Sequence, residues 1–151
     1  MPTHELHHNV KFSKAISAIN YTGAGTDDGD IIDRQGFGSL EFQCIVGVDA
    51  NLDGSNHLQF KLQHGDDAAL ADAADVVIGD LIGDLIGGLT EVTTGIFAIV
   101  DAPAEDDTVF SIGYKGNKRY VRLSIIVTGA TTDCPAGAIA AQGHPDNAPV
   151  V

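Results

Sequence analysis

The chain has 151 residues, 44% of them apolar, and a formal charge of −13, which is enough length and hydrophobicity for one domain with its own core. A charge of that sign is repelled by phosphate backbones and anionic bilayer surfaces, so nucleic acid and membranes are set aside as partners. Eighteen glycines, nine Phe and Tyr together and no Trp suit short strands and turns better than long helices.

Weak strand signals come first, at Lys11–Ile19 and Ile31–Asp33. The clearest strand is Ser39–Val48, with Leu40, Phe42, Cys44, Val46 and Val48 on one face and Glu41 and Gln43 on the other. His57–His64 alternates as cleanly, Leu58, Phe60 and Leu62 against Gln59, Lys61 and Gln63. The turn-rich run between them predicts a hairpin loop. Asp66–Val77 is rich in Ala and Asp and reads as a short helix with acidic residues near its start. A further strand is expected at Gly95–Val100. Phe110–Tyr114 and Val121–Val127 flank Lys115-Gly116-Asn117-Lys118 as a second expected hairpin, and Ala136–Gln142 closes the set. The expectation is an all-β protein: an antiparallel β-sandwich, jelly-roll-like, with one short helix. Residues 1–10 form an N-terminal arm and residues 11–151 a single domain.

Gly79–Gly88 contains the repeat Gly-Asp-Leu-Ile. Its apolar residues have helical spacing, but Gly79, Gly83 and Gly87 share a face and each costs a helix about 1 kcal/mol relative to Ala. Two readings stand: an apolar segment that orders against a neighbouring subunit, or a loop lengthened by duplication and packed on its own domain.

Motifs with chemical associations are incomplete. His4-Glu5-Leu6-His7-His8 matches the H-E-x-x-H zinc pattern, which needs a rigid helix, a third ligand and supporting hydrogen bonds; here it sits beside Pro2 at the start of the chain. Asp49-Ala-Asn51-Leu-Asp53-Gly54 matches half an EF-hand loop, but Phe60 stands where the bidentate Glu belongs. Asp27-Asp28-Gly29-Asp30 is at most a loose calcium site. No serine has a nucleophile-elbow context, and Cys44 and Cys134 are too few and too far apart for a disulfide scaffold. No catalytic residue, metal site or cofactor is therefore expected. Met1–Glu5 lacks the order of a secretory signal, and no window reaches the ~20 apolar residues of a membrane span. The expectation is a protein kept in the cytosol or assembled there into something larger. Lys115, Lys118, Arg119 and Arg122 hold half of the chain's eight Lys and Arg. They form either a docking patch or a hairpin whose charges balance nearby Asp and Glu.

The segments Gly113–Arg122, Thr128-Gly129 and Gly143–Pro149, with Leu58–Asp67 before them, resemble small structural proteins of tailed-bacteriophage virions. The similarity spans roughly Gly36–Pro149 with a variable middle at Val76–Thr94. The resemblance implies a capsid decoration, or cement, protein: a homotrimer on the outer surface of the virion, assembled in the host cytoplasm and clamping neighbouring subunits of the major capsid protein. On that reading the candidate contacts are Thr3, His4, Leu6 and His8 of the arm, Leu81, Ile82, Leu85 and Ile86 of the repeat, and Lys115, Lys118, Arg119, Tyr120 and Arg122 of the basic segment. Alternatives are a carbohydrate-binding sandwich, disfavoured by the lack of Trp and the scatter of Tyr21, Tyr114 and Tyr120, and a head–tail or tail component.

Overall fold

The computed structural model of the chain describes residues 6–130 and 132–150. Among the described residues the strands are β1 (Val10–Thr22), β2 (Gly25–Asp33), β3 (Phe37–Val46), β4 (His57–Gly65) and β5 (Ala74–Asp75), then β6 (Leu81–Ile82), β7 (Ile96–Val100), β8 (Thr108–Tyr114), β9 (Tyr120–Thr128) and β10 (Asp133–Pro145). They form two antiparallel sheets. The first runs β1-β10-β3-β8-β6; the second runs β2-β9-β4-β5, with β7 also paired to β4. The long strands pair in nested order, β1 with β10, β2 with β9, β3 with β8 and β4 with β7, as though one long hairpin had been rolled up.

The period-two alternation places the core between the sheets. Leu40, Phe42, Cys44 and Val46 of β3 and Phe110, Ile112 and Tyr114 of β8 face inward from the first sheet. Leu58, Phe60 and Leu62 of β4 and Val121, Leu123, Ile125 and Val127 of β9 face them from the second. Phe60 meets Phe110 edge-to-face across the gap, centroids 5.0 Å apart, and Phe97 packs on both rings. Burying one such side chain stabilises by about 1.5–3 kcal/mol, so this aromatic contact is a principal tie between the layers.

The all-β, two-sheet sandwich agrees with the sequence; three local expectations do not. Neither expected hairpin forms, because β3 and β4 lie in different sheets, as do β8 and β9. Their inward faces meet the same core from opposite sides, and alternation specifies the face a strand buries but not the strand it pairs with. Asp66–Val77 is not a helix. The Asp67 carboxylate accepts from the backbone N–H of Ala69 and Ala71, Asp72 accepts from those of Asp66 and Asp67, and Leu70 sits at φ 52°. Side-chain acceptors thus capture the N–H groups that a helix would use, and the only helical turn among the described residues is a 3₁₀ turn at Ile78–Asp80. Val48, expected to face the core, is exposed because β3 stops at Val46.

Candidate interaction surfaces

The outer faces of the two sheets differ in chemistry. On the second sheet, Lys61 pairs with Asp75 at 2.7 Å, and Arg122 donates to Gln63 at 2.8 Å and lies 3.4 Å from Asp28. This is the polar, internally matched face that an antiparallel sheet shows to water. The first sheet shows an apolar one. Phe12 of β1, Ile139 of β10, Ile45 of β3 and Val109 of β8 point outward and are 53%, 45%, 54% and 61% exposed.

The register lays these four out as a diagonal stripe. Lys14 lies opposite Ile139, one side-chain repeat along β1 from Phe12; Gly137, one repeat along β10 from Ile139, lies opposite Ile45; and Ile45 faces Val109 directly. Beside the stripe is a groove of about 410 Å³ with an almost wholly apolar lining, floored by Gly137 and Ala138 and walled by Lys14, Ala18, Ile45 and Ile139. Gly137 makes the groove possible: a Cβ there would lie 2.9 Å from that of Ala18, where β1 is bulged between Ile16 and Ile19.

The sequence-predicted contacts are scattered over the molecule. Thr3 and His4 lie outside the described residues, as does Glu5 of the zinc-like pattern; Leu6 and His8 are exposed in a turn in which the Leu6 carbonyl accepts from Asn9 and Val10. In the repeat, Leu81 is buried and β6 pairs with Tyr114 and Gly113 of β8, while Ile82 is exposed. Ile86 exchanges backbone hydrogen bonds with Phe97 and Ile99, and Leu85 packs beside it on the core. The repeat thus runs from the edge of one sheet to the edge of the other on its own domain.

The basic residues are mostly matched. Lys118 pairs with Asp66 at 2.6 Å, Arg119 grips Asp33 through two bonds of 2.7 and 2.8 Å, and Arg122 has the partners given above. Asp33 is held below the usual carboxylate range, chiefly by its bonds to Arg119. Lys115 is the exposed member without an ion pair among the described residues. Tyr120 lies under the Arg119 guanidinium at 4.9 Å, and Tyr21 and Tyr114 are buried, so the tyrosines form no open stacking platform. The acidic motifs serve local structure. Asp49 accepts from the N–H groups of Asn51 and Asp133, Asp53 from those of Ser55 and Asn56, and Phe60 is fully buried. Asp27 and Asp28 accept from the hydroxyls of Tyr21 and Ser124.

No protein-family model matches the chain, and no curated protein matches it in sequence. Among solved structures it is similar to the SPBc2 prophage-derived protein YomS, with 11% identity and a TM-score of 0.38 over 87% of this chain and 94% of that one. It is also similar to the structure of infectious bursal disease virus Gx strain, with 16% identity and a TM-score of 0.42 over 93% of this chain. The third is the infectious bursal disease virus VP2 subviral particle, with 14% identity and a TM-score of 0.38 over 93% of this chain. The match covers 33% of each of the two viral chains, so this chain spans about a third of their length.

Proposed function

We propose that this chain is a structural protein of a bacteriophage virion, a decoration or cement protein that binds the major capsid protein on the outside of the shell and acts as a trimer. The observation that carries the reading is the apolar stripe of Phe12, Ile139, Ile45 and Val109, since a contiguous apolar surface on a soluble body marks a face built to be covered. The nested strand pairing is read as a jelly roll, a rigid platform for such a face. The protein works by contact, without a catalytic residue, and repetition over a shell multiplies contacts that are each modest. Residues 1–10 lead into β1, the edge strand of the first sheet, and are read as an arm that adds a strand to a neighbouring subunit.

Cosedimentation with capsids assembled without this chain tests the proposal. Mature shells are expected to bind it, and deletion of Pro2–Asn9 to weaken binding while leaving the melting temperature nearly unchanged. Light scattering is expected to give three times the 15.7 kDa chain mass. Intact protein that fails to pellet with mature shells overturns the proposal.

A further inference from the structure

We infer that the outer face of β1, β10, β3 and β8 is the surface through which copies of this chain hold one another. The inference rests on the structural reading above and deepens it by naming the contact between copies.

Charge singles out this face. Two copies at −13 each repel wherever their carboxylates meet. Among the described residues, Glu41 and Asp133 are the only acidic ones in strands of the first sheet, whereas β2 alone carries Asp27, Asp28, Asp30 and Asp33. The first sheet is thus the broad face that another copy can approach without stacking acid on acid. Its two outward charges beside the stripe are opposite in sign and on opposite flanks: Lys14 opposite Ile139, with Asp30 3.4 Å from its ammonium, and Glu41 opposite Ala141 and hydrogen-bonded by Gln43. Copies that bring flank against flank place Lys14 of one toward Glu41 of the next, around a ring of three.

Shape and size agree with charge. The ridge of Ile45 and Val109 and the groove over Gly137 lie side by side, so each copy carries both halves of a head-to-tail fit, the kind of contact that closes into a ring. Four strands ~4.8 Å apart and 7 to 13 residues long, at ~3.3 Å each, present roughly 700 Å². With a rim of loops that approaches the ~800 Å² per partner of a stable interface. Covering it removes from water Phe12, Ile139, Ile45 and Val109, each at least 45% exposed.

Size-exclusion chromatography with light scattering on the full chain reads the outcome. The wild type is expected to run as an oligomer, and Ile45→Asp and Val109→Asp to shift it to 15.7 kDa with an unchanged far-ultraviolet circular dichroism spectrum. Lys14→Glu places like charges across the contact and is expected to weaken association roughly tenfold, with recovery in the Lys14→Glu, Glu41→Lys double variant. These exposed charge reversals keep the inference testable if an Asp variant fails to fold. A monomeric wild type overturns it, as do variants that keep the oligomeric mass. Variants that stay oligomeric but lose shell binding would also overturn it, by assigning the face to the capsid subunit. A monomer that still binds shells defeats this inference and the trimer but leaves shell binding standing; an intact oligomer that binds no shell defeats only the decoration reading.

Discussion

The hydroxyl of Tyr114 lies 2.7 Å from Nδ1 of His64, a buried hydrogen bond that joins β8 of one sheet to β4 of the other. The same hydroxyl accepts from the Lys118 N–H at 3.2 Å, and Arg34 lies 4.7 Å over the ring while donating to the carbonyls of Gly116 and Lys118. Tyr114 therefore ties the layers together and anchors the turn that carries the basic residues. Tyr114→Phe keeps the ring but strands two polar groups. It is expected to cost about 1–3 kcal/mol in chemical denaturation with the fold intact; an unshifted denaturation midpoint would show that the bond contributes nothing.

His64 gives stability a pH dependence of definite sign. Burial holds its pKa below the ordinary 6.5, outweighing the nearby charges of Asp80, Asp66 and Asp72. The unfolded chain therefore binds a proton at a pH where the folded chain still does not. The stabilisation is complete above about pH 6.5 and drains away below it, by up to about 1.4 kcal/mol per pH unit until the folded pKa is reached. Denaturation midpoints at about pH 7.5 and about pH 5.5 should fall further apart in the wild type than in His64→Gln, which cannot take up that proton. Equal gaps would exclude His64 as the source.

The core and its strands were legible in the sequence because alternation reports burial directly. Pairing was not, since Phe42 and Phe60 present the same pattern whichever sheet holds them. β2 is poorly marked because Thr26-Asp27-Asp28-Gly29-Asp30 has poor strand propensity; the hydroxyl of Tyr21, six positions before Asp27, and that of Ser124, 96 positions beyond Asp28, give two of those aspartates partners. The apolar stripe did leave a trace. Ile45 and Val109 occupy outward positions in strands whose inward positions are already apolar, yet only the register shows that they meet Ile139 and Phe12 across four strands. Arg34 left none, because its work is to bind carbonyls more than eighty positions away.

Gly29 marks the tightest closure of the sandwich. A Cβ there would collide with the Ala15 carbonyl oxygen and lie 2.6 Å from that of Leu123, both backbone atoms that cannot step aside. Gly29→Ala is expected to destabilise by at least about 1–3 kcal/mol, the usual cost of overpacking. Gly54 has open space around its Cβ position and no positive φ, so Gly54→Ala should be neutral or gain up to about 1 kcal/mol from a less flexible unfolded chain. Thermal melts of the two variants test the pair, and equal effects would contradict the packing described.

The two cysteines report on opening of the first sheet. Cys44 and Cys134 are free and buried on β3 and β10, which pair with each other. Burial pushes the Cys44 thiol up to about 12. Cys134 is pushed up to about 11, by burial first and then by the charges of Asp49, Asp106 and Asp133. Since the thiolate is the reactive form, a thiol of pKa about 11 is ionised at about pH 8 to the order of one part in a thousand, and neither sulfur is accessible to reagent. Ellman's reagent is expected to leave the native protein untouched and to titrate both thiols in concentrated guanidinium. Reaction should accelerate in Gly29→Ala by about tenfold for each ~1.4 kcal/mol of lost stability, because labelling then follows the open population. A fast-reacting thiol in the native wild type would mean that β3 and β10 separate without global unfolding.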